Sequence, residues 1–132
     1  RLGQHLAGGF VSTPTEMVRL GNATLAGRVV RPQTFALLTT PQKLTDGSDS
    51  GAGYGMGWRS GQRKLADGGE IRVVHHGGIA NGAMSFFVLV PEAKLVVSIQ
   101  CNVLFQPFTD LAEEAYAVAE MFLAAADRLA TD

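Results

Sequence analysis

Two apolar runs, Ala83 to Val90 and Lys94 to Asn102, are joined by Pro91-Glu92-Ala93-Lys94, and no other feature narrows the fold so sharply. The spacing predicts an antiparallel hairpin. In the first run both alternating sets, Met84, Phe86, Val88 and Ser85, Phe87, Leu89, are mostly apolar, so that strand needs cover on both faces. Upstream, Asp67-Gly68-Gly69 predicts a hairpin turn. Glu70 to His75 reads as the next strand and leads through a glycine-containing loop to Ala83. Before it, Tyr54-Gly55-Met56-Gly57-Trp58-Arg59 alternates large residues with glycine, as a strand lying close to another backbone would.

The chain supplies its own cover. Pro107 to about Leu129 has helical spacing, with Leu111, Ala115, Val118, Phe122, Ala126 and Leu129 on one stripe. A helix is expected over Pro14 to Ala26: Thr13 can cap it, Pro14 suits the first position, Glu16 completes a capping box, and Gly27 stops it. Its apolar positions are Met17, Leu20, Ala23 and Ala26. A shorter helix from Pro32 carries Phe35, Leu37 and Leu38 and ends before Pro41, and Gln42 to Gly53 reads as loop. The expected class is α+β: an antiparallel sheet of three to four strands with a long C-terminal helix packed on it. The short helices supply only part of the second cover, which points to a missing partner.

At 132 residues, 46% hydrophobic and 17% charged, the composition fits one folded domain. A net charge of −1 and an isoelectric point near 6.3 lack the clustered basic charge that nucleic acid or an anionic membrane requires. No apolar run is long enough to span a bilayer. Cys101 cannot form an internal disulfide, and its apolar neighbours predict a buried thiol. His75 and His76 are adjacent on a strand and so point to opposite faces, which argues against joint chelation; no metal and no cofactor are expected.

Four pieces in order, Ala7-Gly8-Gly9 with the following helix to Asn22, Tyr54-Gly-Met-Gly-Trp58, Val73-Val-His75-His76-Gly77-Gly78 and the apolar hairpin, resemble the β-lactamase-related and penicillin-binding-protein-like serine hydrolases. The resemblance implies the β-lactamase/transpeptidase-like fold. It also implies an acyl-transfer site in which a Ser-x-x-Lys serine attacks a carbonyl, a Tyr-x-Asn box assists proton transfer, and a Lys-Thr-Gly or His-Thr-Gly box forms one wall. No serine here is followed three positions later by lysine, and Tyr54 and Tyr116 do not begin a Tyr-x-Asn box. Thr40-Pro41-Gln42-Lys43 has the first spacing with threonine, but in a surface turn that offers no preorganised donors.

Residues 1–132 are therefore expected to be a single partial domain, the C-terminal part of such an enzyme, inactive alone and lacking the nucleophile's segment. Carried across, the wall begins at His75, the catalytic candidate, which would bind substrate or help the proton relay. His76 takes the usual threonine position, Gly77 the glycine, and the Gly78 N–H is a candidate oxyanion donor. His76 in place of a small hydroxyl favours an esterase-like or peptidase-like member over a true β-lactamase. Partners implied are an ester, amide or β-lactam substrate or a peptidoglycan peptide, together with the missing N-terminal segment, a companion chain, or another copy by edge pairing. The resemblance leans towards a periplasmic or secreted location. The rival class is a non-catalytic peptide-binding or assembly module that keeps the fold. The plain reading of His75 is a structural histidine at a strand end, and the plain reading of Gly8-Gly9 and Gly68-Gly69 is turn chemistry.

Overall fold

The computed structural model describes residues 10–104 and 107–131. His5 and the Ala7-Gly8-Gly9 piece lie outside the described residues. Helix α1 spans Pro14–Leu25 and α2 Pro32–Thr39; strands follow at Arg59–Lys64 (β1), Glu70–Ala80 (β2), Ala83–Val90 (β3) and Leu95–Cys101 (β4), and α3 spans Thr109–Thr131. The strands form one antiparallel sheet in the order β1-β2-β3-β4. This is the α+β arrangement of a sheet with a long C-terminal helix.

Both faces of β3 are buried, as its double apolar pattern requires. Met84, Phe86, Val88 and Val90 meet Val73, Val97 and the α3 residues Leu111, Ala115 and Ala119. Phe87 and Leu89 meet Val74 and Val96 on the opposite face, packed by Met17, Val18 and Leu25 of α1, Phe35 of α2, and Trp58. Val74, Val88, Leu89 and Val90 are fully buried, and each contributes about 1.5–3 kcal/mol relative to an exposed side chain.

Local chemistry sets the ends of the elements. The Glu16 N–H donates to Thr13 Oγ1 at 3.3 Å, while the Glu16 carboxylate turns to Arg19 at 2.6 Å, so only half of the capping box forms. Gly27, at φ 71°, ends α1: its N–H reaches the Thr24 carbonyl and the Arg28 N–H reaches that of Ala23, the paired bonds of a Schellman stop.

Four expectations need correction. Tyr54 makes only an isolated bridge to Arg59, where β1 begins. The glycines around it do mark backbone crowding, since a Cβ on Gly53 would sit 2.3 Å from the Ser60 carbonyl oxygen and one on Gly55 2.2 Å from that of Leu38. The chain there is a tight turn, with the Gly55 N–H on the Trp58 carbonyl. Second, β2 does not stop at His75: Gly77 to Ala80 remain paired with β3, and Asn81-Gly82 make the whole turn. A glycine pair without positive φ is compatible with strand, and the loop reading had no way to see the partner.

Third, the buried face of α1 turns on Met17, Gly21, Thr24 and Leu25, leaving Leu20 and Ala26 exposed, because the helix lies close against Val96 of β4 at Gly21. Fourth, α3 packs through Leu111, Ala115 and Ala119, whereas Phe122 and Leu129 are 62% and 81% exposed. The alanines allow close contact with the sheet, and the distal half of the helix has outrun its cover. Cys101 is half-buried, with Sγ 3.4 Å from the Val103 carbonyl oxygen.

Candidate active-site wall on strand β2

β1 begins opposite His75, its Arg59 being the cross-strand neighbour of that residue. Among the described residues, β2 from His76 to Ala80 is paired only with β3, so alternate residues present N–H and C=O groups to an open edge. Tyr54 stands at the start of this edge. Its hydroxyl is 3.3 Å from His76 Nε2, the two rings meet edge to face, and the Arg59 guanidinium lies 4.5 Å over the Tyr54 ring centre.

The two histidines occupy different environments. His75 shares the α3 face with its partner Val88, stacks on Phe86 at 5.2 Å and 28°, and meets the edge of Tyr116 at 6.1 Å. It is half-buried, and Nδ1 is buried with no hydrogen-bond partner among the described residues. Burial is the main reason its pKa falls to about 4, with the positive charge of Arg59 and then His76 adding to the effect. His75 is therefore neutral at pH 7. His76 is exposed on the opposite face, across from Phe87.

Gly77 and Gly78 are small for different reasons. A Cβ on Gly77 would lie 2.4 Å from Phe108 Cζ, so its absence lets Phe108 close over the strand; a Cβ on Gly78 would lie 2.9 Å from Ser85 Oγ. Gly77 and His75 belong to a cleft of about 210 Å³ with Tyr54, Arg59, Ile79, Phe86 and Phe108. Of the four predicted wall residues, His76, Gly77 and Gly78 lie on the open edge, while the His75 ring lines the cleft on the α3 face, opposite to the face that carries the His76 ring.

Sequence reasoning missed Tyr54 and Arg59 as members of this group. The alternating glycines around Tyr54 were the available signal, since they mark a backbone pressed against its neighbours. The Thr40-x-x-Lys43 pair is not a nucleophile arrangement: Thr40 Oγ1 donates to the Ala36 carbonyl at 2.8 Å, and Lys43 pairs with Asp49 at 2.7 Å. Among the described residues no cluster of three His, Cys, Asp or Glu side chains could hold a metal ion, and no helix is long and apolar enough to cross a membrane.

A sequence profile of the Beta-lactamase family matches residues 3–120. The human mitochondrial serine beta-lactamase-like protein LACTB is 32% identical over 104 residues, covering 64% of this chain and 19% of that protein. Its bovine counterpart is 30% identical over 127 residues, covering 72% of this chain and 23% of that protein. The chain thus spans about a fifth of the length of the curated relatives it matches. With the family profile matched along most of its length and the sheet, the C-terminal helix and the glycine-bearing strand in place, the protein belongs to the β-lactamase-related serine hydrolase family.

Proposed function

We propose that these residues form one wall of an acyl-transfer site that acts on an ester, amide or β-lactam carbonyl, with the serine nucleophile supplied from outside them. In this reading the chain is the C-terminal part of the hydrolase and is inactive alone. The observation that carries it is the edge His76–Ala80, where among the described residues no strand pairs with β2 on the side that β1 leaves open, so a substrate backbone or acyl group has access to the strand.

The same geometry favours His76 over His75 as the ring that meets substrate. A group that contacts substrate must be accessible; His76 is exposed at the first position of the open edge, whereas His75 is half-buried against Phe86 and Tyr116. This moves the wall one residue along the strand, to His76-Gly77-Gly78. Gly78 remains the candidate oxyanion donor. Its twin, the N–H of the nucleophile, lies with the serine.

Labelling with a fluorophosphonate or fluorescent penicillin, combined with intact mass and sizing, tests the proposal. The expected result is a covalent adduct on a serine of the polypeptide that carries these residues or of a companion that co-elutes with it. Absence of any adduct, with retained binding of peptidoglycan peptides, would replace the hydrolase by a non-catalytic binding module of the same fold.

A further inference from the structure

Tyr54 is held more firmly than a turn residue needs to be. Its N–H donates to Ser50 Oγ at 3.2 Å, and its carbonyl accepts the Gln42 N–H at 2.7 Å. On either side Gly53 and Gly55 press against the Ser60 and Leu38 carbonyls so closely that no side chain fits at either position. The backbone that carries the ring is therefore pinned, and the ring itself is covered by the Arg59 guanidinium. A phenol fixed in this way directs its one polar atom at His76 Nε2.

Chemistry decides which partner donates. The unprotonated nitrogen of a neutral imidazole is a much stronger base than a phenol oxygen, so O–H to nitrogen is the favoured direction. A cation over the ring face draws charge from the phenol and strengthens it as a donor. The 3.3 Å separation is that of a loose bond, as such contacts often are before substrate closes a site.

We propose that Tyr54 is a positioning residue for His76: its hydroxyl donates to Nε2, holds the neutral ring as the Nδ1–H tautomer, and so sets which nitrogen His76 offers as a donor at the open edge of β2. The catalytic value of this device rests on the hydrolase reading above. The device itself does not.

The experiment is a long-range proton–nitrogen correlation spectrum of the uniformly ¹⁵N-labelled protein at pH 8, with His76 assigned by loss of its signals in His76→Gln. The expected spectrum shows Nδ1 protonated and Nε2 bare in the wild type. In Tyr54→Phe the populations should move towards the Nε2–H form that a free histidine side chain prefers, while backbone amides remote from the turn stay in place. A wild-type His76 that is mainly Nε2–H would overturn the proposal, as would a tautomer indifferent to Tyr54→Phe. Should Tyr54→Phe fail to fold, the wild-type tautomer decides alone. No substrate enters this measurement, so its outcome is separate from the success or failure of probe labelling.

Discussion

The imidazole of His75 stacks on the ring of Phe86, with centroids 5.2 Å apart, and burial at this position, reinforced by the charge of Arg59, keeps the histidine neutral in the folded protein. A pH dependence follows by linkage. Unfolded, the ring titrates near 6.5; folded, near 4. Between these values the unfolded chain holds a proton that the folded one lacks, so stability at this site is full above about pH 6.5 and declines as pH falls towards 4. Because solvent still reaches the ring, the loss is roughly 1–2 kcal/mol rather than the whole shift converted. Urea titrations at pH 7.5 and pH 4.5 should show it, and His75→Phe should remove that part of the pH slope. An unchanged slope would mean that His75 is not the group responsible.

Gly77 is required by Phe108 rather than by any turn. Gly77→Ala places a Cβ 2.4 Å from Phe108 Cζ, an overlap that should cost about 1–3 kcal/mol. Phe108→Leu in the same chain should recover part of the loss, measurable as a double-mutant cycle in thermal unfolding. Additive losses would place the crowding elsewhere.

At Gly21 two effects oppose each other. Alanine is the better helix former by about 1 kcal/mol. Its methyl would lie 2.6 Å from Val96 Cγ1 and 3.0 Å from Phe87 Cζ, and overpacking of that kind costs about 1–3 kcal/mol. Packing should win, so Gly21→Ala is expected to lower the melting temperature, whereas Gly21→Ala with Val96→Ala should restore the helix gain at this contact. A single substitution that stabilises the protein would show that α1 lies farther from β4.

Arg63 links β1 to α3 through Glu113, with Nη1 on Oε1 at 2.9 Å, through Glu120 at 3.6 Å, and by lying 4.6 Å over the Tyr116 ring centre. Glu113 is largely exposed, so Glu113→Gln should cost less than about 1 kcal/mol. Arg63→Ala removes the ring contact and the buried stem as well and should cost more than Glu113→Gln. Denaturant midpoints of the two variants compare them directly; equal losses would mean that the ion pair alone matters.

Much of the fold was legible because β3 is apolar on both sides: that pattern requires two layers, and the hairpin turns on either side bring its neighbours into register. The caps of α1 and the Pro32 start of α2 were equally local. The misread features depend on partners distant in sequence. Nothing near Gly77 shows that Phe108 will occupy the space of its missing side chain, and nothing near Gly21 shows that Val96 will. The site was half legible for the same reason: adjacent residues on a strand must face opposite ways, but which of His75 and His76 lies on the accessible side depends on where α3 and Tyr54 settle.

The proposed wall of the acyl-transfer site is the accessible edge that begins at His76, with the His75 ring on the opposite face. Its most direct test is the rate of labelling by a serine-reactive probe in the protein that carries both this chain and the nucleophile, compared for His76→Ala and His75→Ala. His76→Ala should lower the rate by about 10²-fold or more, the scale of removing a positioned proton-transfer or donor group. His75→Ala should change the rate little and lower stability. The reverse order, or a labelling rate indifferent to both substitutions, would contradict this assignment.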